Sequence, residues 1–185
     1  MAGDKTNLYH RRSIRLKGYD YSQPGAYFIT VCTQNHECLL GKIVKTEMLI
    51  NAWGDVVQEC WYDLPNHYAG LELDISVVMP NHVHGIIVLA DSRRRAGLKP
   101  APTPGLPEIV RAFKTFSARR INRIRSTAGA PFWQRGYYEH VIRNENELNR
   151  VREYIMQNPS RWSLDRENYE RKGKDEIEDW LYLGA

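Results

Sequence analysis

Apolar and polar residues alternate strictly from Leu71 to Val77. Leu71, Leu73, Ile75 and Val77 face one way, and Glu72, Asp74 and Ser76 the other. A period of two predicts a half-buried strand. Pro80-Asn81 then turns the chain into a strongly apolar run, His82 to Leu89, so the two segments predict an antiparallel hairpin. Gly25 to Thr33 is β-branched and aromatic and apolar on both faces, which suits a central strand. A more exposed strand is expected between Leu39 and Ile50, after a polar turn at Asn35-His36-Glu37. Phe132 to Ile142 is aromatic and β-prone and reads as a further strand.

Elsewhere the period lengthens to that of a helix. Asn51 can cap a helix to about Leu64, with Trp53, Val56, Val57, Cys60, Trp61 and Leu64 on one face and Pro65-Asn66 as its stop. Pro107 suits the first position of a second helix and Glu108 its first turn. Ile109, Val110, Phe113, Phe116, Ile121 and Ile124 cover one side of it to about Arg125, while Arg111, Lys114, Arg119 and Arg125 lie mostly off that side. Asn144 opens a third helix, with Glu147 completing a capping box. Leu148, Val151, Tyr154 and Ile155 run along it, and Pro159 ends it. The order strand, strand, helix, strand, strand, helix, strand, helix predicts an α+β fold. The expected form is a ferredoxin-like or RRM-like sandwich, an antiparallel sheet with helices on one face plus a C-terminal helix carrying Tyr154. Many functions share that fold, so it decides no chemistry.

Around this core, residues 1–23 read as an irregular basic arm, with Arg11, Arg12, Arg15 and Lys17 set near Tyr9, Tyr19 and Tyr21. Residues 24–162 form the expected catalytic domain. Within it, 91–106 is an exposed loop marked by Arg93-Arg94-Arg95, Pro100, Pro102, Pro104 and Gly105. Residues 163–185 are a tail whose Trp180 and Tyr182, with Trp162 just before it, are placed to anchor it on the body. The 185 residues, 42% of them apolar, suffice for one packed domain. No run of about eighteen apolar residues exists, so no membrane span is expected. The opening Met-Ala-Gly-Asp-Lys is not read as a signal peptide. Three cysteines without a Cys-x-x-Cys pair argue against a disulfide framework or a Cys-rich zinc knuckle and for a reducing, cytoplasmic setting. Net charge is only +4, but it is unevenly placed: Asp91 to Arg125 holds ten Lys/Arg and two acids, Ser163 to Ala185 four basic and seven acidic residues. A basic middle suggests a polyanionic partner; a solvated helix face plus a basic loop is the plain alternative.

The candidate chemistry starts at His82 and His84. On a strand they share one face, about 7 Å apart at Cα. Alone, such a pair is more often two structural histidines than a site. Tyr154 and Asn158, four residues apart on the last helix, change that weighing, although a core tyrosine and a C-terminal cap explain them as well. Two neutral imidazoles and an amide oxygen can hold a divalent cation with positions open to a phosphate oxygen. A tyrosine can attack phosphorus and later leave, and the phosphotyrosine ester stores the energy needed for rejoining.

Met79-Pro80-Asn81-His82-Val83-His84, the Phe113 to Phe116 helix segment, Trp133 to Asn144, and Tyr154-Ile155 with Asn158-Pro159 together resemble HUH single-strand transposases with one catalytic tyrosine. Arg15-Leu16 and the stretch from Tyr19 to Phe28 are similar to the REP-associated tyrosine transposase (RAYT) branch, relatives of the insertion-sequence transposases. The resemblance spans roughly residues 10–162, and the order of its blocks is more specific than any one of them. It implies a metal-dependent DNA strand transferase and endonuclease in which His82 and His84 bind Mg²⁺ or Mn²⁺ and Asn158 takes the third ligand position. Insertion-sequence relatives often carry Gln at that position, and Asn is shorter. It implies Tyr154 as a nucleophile that forms a 5′-phosphotyrosine link, with single-stranded DNA beside a REP-like hairpin as substrate, and either a monomer or a homodimer. Arg12, Arg15, Lys114, Arg119 and Arg135 are the candidate phosphate contacts. Tyr137 and Tyr138 are candidates to stack on unpaired bases, although strand alternation would bury one of them. Two other readings stand beside this one: a non-catalytic single-stranded DNA- or RNA-binding module on the same fold, and a replication or plasmid-transfer nickase of the wider HUH class.

Overall fold

The computed structural model describes residues 18–90 and 104–183. Arg12, Arg15 and residues 91–103 of the expected loop lie outside the described residues.

In chain order the elements are β1 (Gly25–Cys32), β2 (Gly41–Val44), β3 (Glu47–Ile50), α1 (Ala52–Tyr62), α2 (Leu64–His67), β4 (Leu71–Val78), β5 (His82–Leu89), α3 (Leu106–Ile124), β6 (Tyr138–Ile142), α4 (Glu145–Gln157) and α5 (Glu176–Leu183). The main sheet runs β4-β5-β1-β6, and its neighbours are antiparallel. With α1 and α3 as the crossings, this is the ferredoxin-like α+β arrangement. β1 lies inside the sheet, which explains its apolar character on both faces. Tyr27, Ile29 and Val31 pack in one core with Val57 and Trp61 of α1 and Ile109 and Phe113 of α3. Phe28 and, from β5, Ile86 pack in the other with Val151, Tyr154 and Ile155 of α4 and with Leu181 and Tyr182 of α5.

Several boundaries differ from the sequence reading. The exposed strand expected between Leu39 and Ile50 is a hairpin, β2–β3, turned at Lys45 and Thr46 with both residues at positive φ. Lys-Thr is not the usual composition of such a turn, so the break was hidden. Pro65 does not terminate the helical region. It sits in the first turn of the short α2, where a missing N–H is harmless. The strand expected from Phe132 starts only at Tyr138. Trp133 makes an isolated bridge to Thr33, and Gly136 then turns the chain at φ 83°. Phe132 and Trp133 are β-prone because they fill the core beneath α3 rather than because they extend the ladder.

The caps follow the expected chemistry. Asn51 Oδ1 accepts from the N–H groups of Trp53 and Gly54. Asn144 Oδ1 accepts from Glu147 N–H at 2.9 Å. The return half of that capping box is redirected: the Glu147 carboxylate accepts from Arg143 N–H at 2.6 Å and meets His140 at 2.8 Å. The cap thereby ties α4 to β6. At the other side Arg152 grips Asp74 of β4 through Nε and Nη2, the latter at 2.6 Å. This bond holds the Asp74 carboxyl below its usual range. These ties lay α4 across the sheet.

Candidate active site

β5 carries His82 and His84 on the same face of the sheet, and both are wholly buried. Their Nε2 atoms are 3.0 Å apart. What sets this convergence is the pair of groups behind the rings. Asn81 Nδ2 donates to the backbone oxygens of His36 at 3.1 Å and Glu167 at 2.8 Å, which fixes the amide's orientation. Its Oδ1 therefore faces His82 Nδ1 at 2.8 Å and accepts that N–H. In the neutral imidazole this contact puts the proton on Nδ1 and leaves the Nε2 lone pair to ligate. Thr30 Oγ1, on β1, is 3.0 Å from His84 Nδ1 and 2.7 Å from the Tyr182 hydroxyl. Both rings are thus held from behind with Nε2 pointing to a common point.

α4 brings Tyr154 to that point. Its hydroxyl lies 3.3 Å from His84 Nε2 and donates to Glu178 Oε1 at 3.2 Å. Burial pushes the hydroxyl's pKa well above its ordinary value, and the nearby Tyr182, Asp165 and Glu178 add to the rise. Asn158 is the C-cap of α4, one turn beyond Tyr154. It is 2% exposed, and its Oδ1 is buried without a hydrogen-bond partner. An orphaned amide oxygen costs roughly 1–3 kcal/mol. A ligating cation would satisfy such an oxygen, and two imidazoles with an amide oxygen are a donor set that fits a divalent metal.

The tail supplies groups that the sequence reading did not single out. Asp165 Oδ2 is 3.5 Å from His82 Nε2, and His82, His84 and Asp165 together have ligand atoms within 4.8 Å of one another. Glu178 accepts from Arg166 N–H through both carboxylate oxygens, at 3.0 and 3.1 Å. Tyr138 donates to Leu181 O, and Arg166 lies over the Tyr182 ring at 3.9 Å. In the sequence these acids counted only as tail charge. A weak signal was present, because Glu178 and Tyr182 share a helical face at i, i+4 beside the apolar Ile177 and Leu181.

The candidate phosphate contacts are distributed differently. Arg119 and Arg135 are exposed. Lys114 donates to the backbone oxygens of Gln134 and Gly136, each at 2.7 Å, and so braces the segment that carries Arg135. Tyr138 is buried and Tyr137 half-buried. Tyr137, Trp133, Lys114 and Arg111 line a groove of about 450 Å³ between α3 and residues 130–137.

Comparison with known proteins places the fold and the family. The profile of IS200-like transposases matches residues 27–158, most of the chain, and the chain belongs to that family. Within it the chain is RAYT-like. The "Putative REP-associated tyrosine transposase" of Haemophilus influenzae is 25% identical over 145 residues, which cover 76% of this chain and 73% of that one. An "Uncharacterized protein" of the same species is 40% identical over 172 residues, 85% of this chain and 93% of the relative. A solved REP-associated tyrosine transposase bound to a REP hairpin shares the fold, with a TM-score of 0.52 at 19% identity over 83% of this chain and 72% of that chain. Among the described residues no helix is long and apolar enough to cross a membrane.

Proposed function

We propose that the protein cleaves and rejoins single-stranded DNA at hairpin, REP-like sequences through a 5′-phosphotyrosine intermediate on Tyr154. The observation that carries this reading is the meeting of three groups from two elements: His82 Nε2, His84 Nε2 and the Tyr154 hydroxyl, at 3.0 and 3.3 Å along the chain of contacts. Packing alone requires apolar groups here, not two imidazoles aimed at a phenol.

In the proposed reaction the Tyr154 oxygen forms a bond to the scissile phosphorus, and the bond from phosphorus to the 3′ oxygen breaks. The phenol proton ends, by way of solvent, on the released 3′-hydroxyl. Rejoining reverses the step, with a 3′-hydroxyl displacing the tyrosine. His82, His84 and Asn158 would hold a divalent ion, Mg²⁺ or Mn²⁺, which would supply positive charge to offset the negative charge building on the phosphate in the displacement. Asn81 and Thr30 keep the imidazoles in the orientation that offers Nε2. Arg119 and Arg135, with Arg12 and Arg15 of the arm, contact phosphates, and Lys114 adds charge while bracing the Arg135 segment. The tyrosine reaches the histidines of its own chain, so one chain suffices to assemble the site, as a monomer or within a homodimer. The REP hairpin held by the solved relative makes a palindromic hairpin the substrate to try first.

Labelled hairpin DNA incubated with Mn²⁺ is expected to give a covalent protein–DNA product that Tyr154→Phe does not form. An adduct persisting in Tyr154→Phe would move the nucleophile elsewhere. Metal-dependent cleavage surviving His82→Ala with His84→Ala would remove the metal role. Binding without cleavage would favour a DNA-binding module instead.

A further inference from the structure

A second group of ligand-type side chains lies beside the Tyr154 centre and is not used by it. Cys32 ends β1, His36 sits in the turn that follows, and Glu167 comes from the tail. All three are buried, at 4%, 7% and 2% exposure. Glu167 Oε2 is 3.4 Å from Cys32 Sγ and 3.2 Å from His36 Nδ1. The three donor atoms lie within 4.8 Å of one another.

The two separations from Glu167 Oε2 are close to edges of a zinc tetrahedron. With Zn–S about 2.3 Å and Zn–N and Zn–O about 2.0–2.1 Å, sulfur and oxygen stand about 3.6 Å apart and nitrogen and oxygen about 3.3 Å apart. The charges balance as well. A thiolate and a carboxylate neutralise a divalent ion, and the imidazole ligates in its neutral form, so the buried group carries no net charge. The second Glu167 oxygen faces a cation, with Arg166 Nε 3.6 Å from Oε1. Asn81 Nδ2 holds both His36 O and Glu167 O, which fixes two of the three ligand-bearing segments against each other. Thiolate with imidazole is a soft set that selects zinc over Mg²⁺ or Mn²⁺, unlike the two-imidazole, amide-oxygen set around Tyr154.

We propose that Cys32, His36 and Glu167 bind a zinc ion, with water in the fourth position, and that this ion fastens the tail turn at Asp165 to Glu167 onto the end of β1. The site is independent of the DNA-cleavage reading and is read without DNA.

The test uses the full chain. After dialysis against a weak chelator it is expected to retain one zinc per chain, and an organomercurial that captures thiolates should release that zinc from the unmutated protein. Replacement by Co²⁺ should give a near-ultraviolet thiolate charge-transfer band. That band should vanish in Cys32→Ser and persist in Cys38→Ser, Tyr154→Phe and His82→Ala with His84→Ala. Loss of a group behind a zinc ligand costs about 10–100-fold in affinity, so Glu167→Gln, which removes a ligand, should weaken zinc binding by at least about 100-fold. Absence of stoichiometric zinc binding overturns the proposal. So does a cobalt spectrum without the thiolate band, or zinc that Cys32→Ser retains. Mercurial release needs no variant, so a poorly folding Cys32→Ser would not rescue or sink the result.

Discussion

The hydroxyl of Tyr154 donates to Glu178 across 3.2 Å, joining the helix of the candidate nucleophile to the C-terminal tail. Burial raises the pKa of both groups; for Glu178 the Arg166 N–H and the Tyr154 hydroxyl partly offset the rise. The raised pKa keeps the phenol protonated in this arrangement, whereas attack on phosphorus needs its oxygen freed of the proton. Tyr154 is 1% exposed and both histidines 0%, so a DNA phosphate reaches them only when covering segments, among them the tail beyond Glu167, move away. Glu178→Ala is expected to loosen residues 168–183, seen as faster amide hydrogen exchange there, and to raise the yield of covalent DNA adduct several-fold. Faster exchange with a reduced yield would instead give Glu178 a part in the chemistry.

Much of this site was legible in the sequence because it rests on local periodicities. The period of two put His82 and His84 on one face, and the period of 3.6 put Tyr154 and Asn158 on one side of α4. The sheet order then brought strand and helix together. What stayed hidden depends on long-range contact. Asp165 and Glu178 are separated from the histidines by some eighty to one hundred residues, and the local pattern separates a buried tail acid from a solvated one only weakly, at Glu178 and not at Asp165. The β2–β3 turn was missed because Lys45 and Thr46 adopt positive φ without glycine or asparagine. The strand read over Phe132–Ile142 begins only at Tyr138, because aromatic residues signal burial as strongly as they signal strand.

Asn81 is expected to matter more than a turn residue should. Its amide makes three buried hydrogen bonds, to His36 O, Glu167 O and His82 Nδ1. Asn81→Ala leaves two carbonyls and an imidazole N–H without that partner, at a cost of at least about 2 kcal/mol. It also frees the His82 ring to change tautomer, which should weaken divalent-metal binding by about 10–100-fold. Thermal melts and Mn²⁺ titration measure the two effects separately. A stability loss with unchanged metal affinity would show that Asn81 only ties the segments together.

Gly85 follows the second histidine and faces the opposite core. A Cβ there would stand 2.3 Å from Trp61 Cζ2 and 2.7 Å from Cη2, inside any real contact. Trp61 is buried against Phe113, with ring centroids 5.3 Å apart, so it has little room to retreat. Gly85→Ala is expected to destabilise the fold by about 1–3 kcal/mol, measured by chemical denaturation. The companion Trp61→Phe, by shortening the obstructing ring, should recover part of that loss; no recovery would place the strain in the β5 backbone.

Lys114 gives a pH dependence with a definite sign. Burial lowers its pKa from 10.5 to about 8, against the pull of its two carbonyl hydrogen bonds, which favour the charged form. In the unfolded chain the ammonium keeps an ordinary pKa of about 10.4. Between roughly pH 8 and 10.4 the unfolded chain therefore binds a proton that the folded chain does not, and this contribution to stability rises with pH. Other groups titrate in the same range, so the clean readout is the difference from a variant without the charge. The melting temperature of the wild type, minus that of Lys114→Met, should climb across this window and level off on either side. A difference that stays flat from pH 7 to 10.5 would mean that the Gln134 and Gly136 carbonyls hold the ammonium charged throughout, and the brace on the Arg135 segment would then be a permanent cation.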